Sequence, residues 1–220
     1  MTRGVRMVML GRQGAGKGTQ CLRLSRHYVV PHISTGDMLR AAVREDTDLG
    51  RKAAELMANG ELVPDDIMIG IVEDRLERGD TTQRGYVLDG FPRTVDQADA
   101  LAKITAGRPL DVVIDLDVPR EVVLERLGSR RVCDDCGANY SVAAPPRYGW
   151  VCDNCGGDVV QRDDDKPAAI ERRLAQYEAK TAPLIAWYEG RGLLEVVDGL
   201  GTTEQVLDRM VATIDQRRGS

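Results

Sequence analysis

Aromatic side chains are scarce in this sequence of 220 residues: one Phe, two Trp and six Tyr, 4% in all. A core built from it must pack mainly aliphatic chains, and a hydrophobic content of 42% suffices for one. No apolar run approaches the roughly 20 residues of a membrane span, so no membrane partner is expected. The opening "MTRGVRMVMLG" is too short for a secretory leader, and cytoplasmic residence is the expectation. Basic charge is also in short supply: 30 Lys and Arg against 35 Asp and Glu give a net charge of −5. That balance argues against a general nucleic-acid binder and confines any anion site to a local cluster. His27 and His32 belong to no ligand motif and receive no role. There is no repeat or low-complexity tract. With no signal for oligomerisation, a monomer is the default.

What is present is an alternation of short apolar runs and longer helical patterns. The runs at 5–10, 86–90, 111–118 and 193–199 read as buried parallel strands, and "HIS" at 32–34 as a weaker fifth. Helices are expected over 16–27, 35–43, 49–59, 64–78, 94–106, 119–127, 167–189 and 202–216. This order predicts an α/β fold, a parallel sheet covered by helices on both faces. Two stretches interrupt the alternation: a helical one at 35–63, and one at 128–165 rich in Cys, Gly, Asp and Pro.

The run at 5–10 leads directly into "GRQGAGKGTQ" at 11–20. Gly11, Gly16 and Lys17 match G-x-x-x-x-G-K, the phosphate-binding loop, but Gly18 stands where Ser or Thr is usual, and the hydroxyl comes one residue late at Thr19. Between a strand and a helix, such glycines let successive N–H groups face one anion, with the helix dipole behind them. Lys17 would reach the β- and γ-phosphates. Asp89, at the end of the strand in "YVLDGFPR", occupies the place of a carboxylate that faces Mg²⁺ in such proteins.

Six arginines stand where ligands bind in an open sheet or flank the second insert: Arg40, Arg93, Arg126, Arg130, Arg162 and Arg173. Guanidinium forks hold phosphate oxygens in pairs and stay charged at neutral pH, which suits phosphoryl transfer. In the second insert, "CDDC" (133–136) and "CDNC" (152–155) enclose 15 residues, a spacing suited to a tetrahedral zinc held by Cys133, Cys136, Cys152 and Cys155. So short a segment with few apolar residues needs a metal in place of a core. Two disulfides are disfavoured in a reducing compartment, and redox-active pairs usually open a helix. Four protein ligands leave no open position, so this zinc is structural. Cys21 is expected to be a small buried residue.

"GRQGAGKGTQ", "ISTGDMLRAAV", "GELVPDD", "GYVLDGFPRTVDQA" and "RLAQYEAKTAPLI" together resemble the adenylate kinases, within the nucleoside monophosphate kinases, in order and over nearly the whole chain. In that family Gly commonly follows the lysine, so Gly18 is expected; Pro is common where this chain has Gln13. The resemblance implies a P-loop three-layer fold with a five-stranded parallel sheet. Its core would span 1–33, 64–127 and 166–220, with a helical AMP-binding insert at 34–63 and a small zinc-ribbon-like lid at 128–165. Gly14, Ala15, Gly16, Lys17, Gly18 and Thr19 would hold the ATP phosphates. Arg126 would lie against the ATP adenine, Gly201 would touch it through backbone, and Arg130, Asn139 and Tyr140 would complete the ATP side. Thr35, Arg40, Glu61, Leu62, Val63, Gly90, Phe91, Pro92, Arg93 and Gln97 would form the AMP site, with Thr35 and Gln97 facing adenine. Glu61 departs from the Lys often found there. Arg162 and Arg173 would converge on the phosphates with Arg130; Asp164 and Asp165 match acidic lid residues. Lys17, Arg93, Arg130, Arg162 and Arg173 are the expected catalytic set, with Mg²⁺ accompanying ATP and zinc in the lid.

The implied activity is reversible phosphoryl transfer from ATP to AMP, giving two ADP. A GTP:AMP phosphotransferase or another nucleoside monophosphate kinase is the nearest alternative. A P-loop regulator bearing a nucleic-acid-binding zinc ribbon is a remote one, opposed by the acidic lid.

Overall fold

The computed structural model describes residues 4–219; the first three residues and Ser220 of the expected core lie outside them. In chain order, β1 (Arg6–Leu10) leads into α1 (Lys17–Tyr28), β2 (His32–Ser34), α2 (Thr35–Arg44), α3 (Asp48–Asn59), α4 (Asp65–Leu76) and α5 (Gly79–Arg84). Next come β3 (Tyr86–Asp89), α6 (Val95–Ile104), β4 (Val112–Asp117), α7 (Arg120–Ser129), β5 (Arg130–Cys133), β6 (Asn139–Ser141) and β7 (Val159–Val160). The chain closes with α8 (Pro167–Gln176), α9 (Pro183–Glu189), β8 (Leu194–Asp198) and α10 (Thr203–Gly219). The large sheet has five strands in the order β2-β3-β1-β4-β8, all parallel.

Strand alternation builds both faces of this sheet. Met7 and Met9 of β1 enter one apolar layer with Leu24, Leu127, Leu174 and Met210 from α1, α7, α8 and α10. Val8 and Leu10 enter the opposite layer with Val72, Leu101 and Leu184 from α4, α6 and α9. A period of two with apolar residues on both sides is what a strand covered on both faces requires. The predicted five-stranded parallel α/β fold is the fold observed.

Three details differ from the sequence expectation. The helix expected to run to 78 ends at Leu76, and a separate six-residue α5 follows. Its sequence, "GDTTQR", carries no apolar periodicity; local bonds fix it, with Arg75 pairing to Asp80 at 3.0 and 2.8 Å and Thr81 Oγ1 donating to the Leu76 carbonyl at 2.9 Å. The single helix expected over 167–189 is broken by a π turn at Tyr177–Thr181. Pro183 has no N–H to continue an α ladder, and just before it Ala182 N–H reaches back five residues to the Tyr177 carbonyl at 2.8 Å. Finally, the segment 128–165 forms an antiparallel sheet, β6-β5-β7, of strands too short to show a period.

Candidate active site

The strand order reverses about β1: the chain goes from β1 to β2 and β3 on one side, then to β4 and β8 on the other. Crevices of parallel sheets open at such a point, beyond the strand C-termini. Here the glycine loop leaves β1. Gly16 caps α1 with φ of 103°, a conformation nearly closed to other residues. Lys17 Nζ donates to the carbonyls of Gly11 at 2.7 Å and Arg12 at 2.9 Å, which ties both ends of the loop together. Desolvation lowers the Lys17 ammonium to about 8, partly offset by the Asp89 carboxylate. Arg126 Nη1 donates to the Ala15 carbonyl at 3.0 Å, holding the loop from α7.

Asp89 ends β3 beside this loop. A Cβ placed on Gly18 would stand 3.7 Å from Asp89 Oδ2, so the glycine leaves room between loop and carboxylate. His32 Nε2 lies 3.7 Å from the same oxygen. Cys21, one turn after Lys17, is fully buried, as expected, and burial pushes its thiol well up. Gly90 follows at φ 83°, and a Cβ there would meet Thr35 Oγ1 at 2.7 Å.

On the other side, Ser34 caps α2 by accepting from Asp37 N–H, and Asp37 pairs with Arg40. Burial lowers the Arg40 pKa, with Arg162 adding repulsion. Gln97 is buried with both ends of its amide engaged: Oε1 accepts from Arg93 N–H at 2.8 Å and Nε2 donates to Asp65 Oδ1 at 2.8 Å. Thr94 Oγ1 donates to the second Asp65 oxygen at 2.6 Å. Arg93 Nε donates to Gly90 O at 2.8 Å, and Thr181, in the π turn, donates to Arg93 O at 3.0 Å. Asp65 was missed in the sequence, although it stands within the "GELVPDD" stretch. Asp37 was missed too, although S-T-G-D is a capping-box pattern that marks it.

Two carboxylates organise the remaining arginines. Asp165, fully buried, accepts from Arg130 Nε at 2.7 Å and Nη2 at 2.5 Å, and from Arg173 Nη1 at 3.1 Å. Asp164 accepts from Arg162 Nε at 2.8 Å and stands 3.4 Å from Arg173 Nη1. Burial alone would raise the Asp164 carboxyl; Arg173 and Arg162 hold it below the ordinary range. Arg173 is lowered to about 10, first by burial. Such charge-assisted pairs hold the guanidinium groups in fixed directions.

The four lid cysteines lie on two like turns. Gly137 N–H donates to Cys133 O at 3.0 Å, and Gly156 N–H to Cys152 O at 2.9 Å. Cys133 Sγ is 3.4 Å from Cys155 Sγ and Cys136 Sγ is 3.5 Å from Cys152 Sγ; all four are free thiols. A disulfide needs about 2.05 Å, whereas thiolates sharing one tetrahedral zinc stand about 3.8 Å apart, given bonds of roughly 2.3 Å. The four ligand atoms fit a single ion. The Tyr140 hydroxyl, 3.4 Å from Cys152 Sγ, lowers that thiol to about 6. Only Cys133, Cys152 and Val159 form the buried cluster here, with Ala138 and Tyr140 against it.

One cleft of about 680 Å³ is lined by Gly14, Gly16, Lys17, Gly18 and Thr19 of the loop, together with Thr35, Arg40, Glu61, Leu62, Val63, Gly90, Pro92 and Gln97. Asp89, Arg93, Arg126, Arg130, Asn139, Tyr140, Arg162 and Arg173 complete its wall. Ala15 and Phe91 are buried, and Gly201, between β8 and α10, is not among the residues that line the cleft.

A phosphate-cradling loop between β1 and α1, with arginines converging from two inserts, defines a P-loop phosphotransferase. The comparisons narrow the class. The family profile described as "Adenylate kinase" matches residues 9–193. A protein of Citrifermentans bemidjiense named "Adenylate kinase" is 52% identical over 211 residues, covering 94% of this chain and 98% of that one. Proteins of the same name from Caldicellulosiruptor bescii and Methanococcoides burtonii are 49% and 48% identical, covering 92% and 96% of this chain and 97% and 98% of their own. This chain belongs to the adenylate kinase family.

Proposed function

We propose a division of labour among these residues for ATP:AMP phosphotransfer, the activity that family membership gives this chain. The observation that carries it is the convergence of Lys17, Arg93, Arg130, Arg162 and Arg173 on one cleft between the glycine loop and the segment 34–63. Loop N–H groups from Gly14 to Thr19 hold the ATP phosphates, and Lys17 moves from the loop carbonyls to the transferring group. Arg93 and Arg40 hold the AMP phosphate. Arg130, Arg162 and Arg173 neutralise charge as the bond shifts. Phosphoryl transfer asks for alignment and charge neutralisation more than for a nucleophilic side chain, and none is assigned.

Mg²⁺, bound with ATP, would supply further charge neutralisation at the phosphate oxygens; Asp89, in the cleft wall beside the glycine loop, is the residue that would hold it through water. Thr35 and Gln97 face the AMP adenine, and Arg93 N–H and Asp65 fix the Gln97 amide for that task. Arg126, Asn139 and Tyr140 border the ATP adenine, with Gly201 approaching from outside the cleft wall. A structural zinc in the four-cysteine cluster supports the lid, 128–165; 34–63 closes over AMP; and 1–33, 64–127 and 166–220 form the core. Closure of both inserts excludes water and suppresses ATP hydrolysis. A cytoplasmic monomer without nucleic-acid partners is the proposed form; the unpaired cysteines support a reducing compartment.

Among the described residues no helix is long and apolar enough to cross a membrane. The test is turnover with Mg-ATP against AMP, GMP, CMP and UMP. Activity with AMP alone supports the roles of Thr35 and Gln97; activity with CMP or UMP overturns them while leaving the arginine mechanism intact.

A further inference from the structure

Among the described residues, one further group of side chains able to ligate a metal comes together besides the four cysteines at 133–155. Cys21 Sγ, a ring nitrogen of His32 and a carboxylate oxygen of Asp89 lie within 4.8 Å of one another. Three separate elements deliver them: Cys21 from α1, His32 from the start of β2, Asp89 from the end of β3. His32 Nε2 is a buried nitrogen with no hydrogen-bond partner. It stands 3.7 Å from Asp89 Oδ2, too far for a hydrogen bond. Donors that share one tetrahedral zinc stand about 3.3–3.8 Å apart, given bonds of roughly 2.0–2.3 Å. A nitrogen and an oxygen on one zinc stand about 3.3–3.5 Å apart; His32 Nε2 and Asp89 Oδ2 are about 0.2 Å beyond that, a gap that a small rotation of the Asp89 carboxylate can close.

We propose that Cys21, His32 and Asp89 form a second metal site that takes a soft divalent cation of the zinc class and blocks turnover when filled. The donor set decides the class. Sulfur, imidazole nitrogen and one carboxylate oxygen suit zinc, whereas Mg²⁺ prefers oxygen ligands in an octahedron. Three protein ligands leave one position for water, unlike the closed lid site. Binding displaces the Cys21 proton to solvent, and a thiolate plus a carboxylate then balance the charge of the ion. Lys17 and Arg93 are the cations that face this cluster and oppose the ion. An ion here draws Asp89 away from its task in front of Gly18 and repels the Lys17 ammonium. The block therefore rests on the reading of Asp89 given above, whereas the binding does not.

Equilibrium dialysis of the lid-loaded protein against buffered Zn²⁺, without nucleotide, reads the site directly. A second equivalent is expected beyond the one in the lid. Cys21→Ala and His32→Gln should each lose it while keeping the lid equivalent and unchanged turnover with Mg-ATP; His27→Gln should keep both equivalents. Free Zn²⁺ should inhibit the parent at concentrations that fill the second site, and Cys21→Ala should need at least tenfold more. A single equivalent in the parent, or a second one that survives both Cys21→Ala and His32→Gln, overturns the site. A second equivalent that binds without inhibiting overturns the block and removes Asp89 from magnesium positioning.

Discussion

Asp165 clamps Arg130 in a two-pronged pair, 2.7 Å from Nε and 2.5 Å from Nη2, with its carboxylate wholly buried. The same carboxylate holds Arg173 at 3.1 Å, so one negative charge aligns two guanidinium groups that would otherwise repel. Asp165→Asn keeps the shape and removes the charge. Breaking a buried ion pair from one side costs about 3–5 kcal/mol, and the low end applies because both arginines retain some solvent contact. The expected result is a loss of about 3 kcal/mol in denaturant unfolding, with a fall in kcat larger than the change in KM for AMP. A stability change within about 0.5 kcal/mol, the range of ordinary surface substitutions, would show that Asp165 does not organise this cluster.

Lys17 titrates low, at about 8, chiefly because the loop desolvates its ammonium. The charged form is thus disfavoured by folding below that pH. The penalty fades as pH rises from about 8 toward the ordinary lysine value, so this group makes stability rise with pH over that window. ATP phosphates reverse the balance by favouring the ammonium. At about pH 8.5, where the nucleotide is fully ionised, binding of Mg-ATP should take up part of a proton, seen as a buffer-dependent heat in calorimetry. Zero uptake, or release, would contradict a Lys17–phosphate contact. Lys17→Ala should cut turnover on the order of 10²–10³-fold, the loss typical of one transition-state donor, with AMP affinity little changed.

The parts of this site that could be read in the sequence are those written in consecutive residues. "GKGTQ" and "DGFPRT" encode backbone turns, and Gly16, Lys17, Asp89, Gly90 and Arg93 come together in the lining of one cleft. The lid cysteines were readable from spacing alone, because two like turns fix the ligand geometry locally. Pairings across the fold were not. Asp65 and Gln97 are 32 positions apart, and only the packing of α4 against α6 brings them together. His32 acquired its neighbours Cys21 and Asp89 in the same way. The π turn at Tyr177–Thr181 escaped because the helical pattern runs through it, while the missing N–H of Pro183 shows its effect only in the ladder.

Gly90 separates the end of β3 from the loop that leads into α6, at a left-handed φ of 83°. Gly90→Ala puts a methyl 2.7 Å from Thr35 Oγ1 and 3.3 Å from Arg93 Nη2 and forces a backbone that alanine disfavours. The strain is of order 1–3 kcal/mol, relieved by moving Thr35 or Arg93. KM for AMP should therefore rise about tenfold or more, at 1.4 kcal/mol per decade, while KM for ATP stays near its original value. Equal rises in both constants would place the damage in the common core and not at the AMP side.

The lid has too little apolar surface to stand alone: its buried cluster is Cys133, Cys152 and Val159. Metal binding in small Cys-rich domains contributes on the order of 10–16 kcal/mol, so its removal should unfold the lid while the two-layered core around β1 persists. Chelation should split thermal unfolding into an early lid step and a later core step, and abolish phosphotransfer together with the early step. Cys136→Ser, which leaves three thiolates, should lie between the two states and regain part of the transition at high zinc. Cys136 and Cys155 are exposed, so a chelator could reach an ion held there without prior unfolding. One unfolding transition, indifferent to chelator and to Cys136→Ser, would mean that the four thiols are held by the protein alone and that zinc is not what shapes the lid.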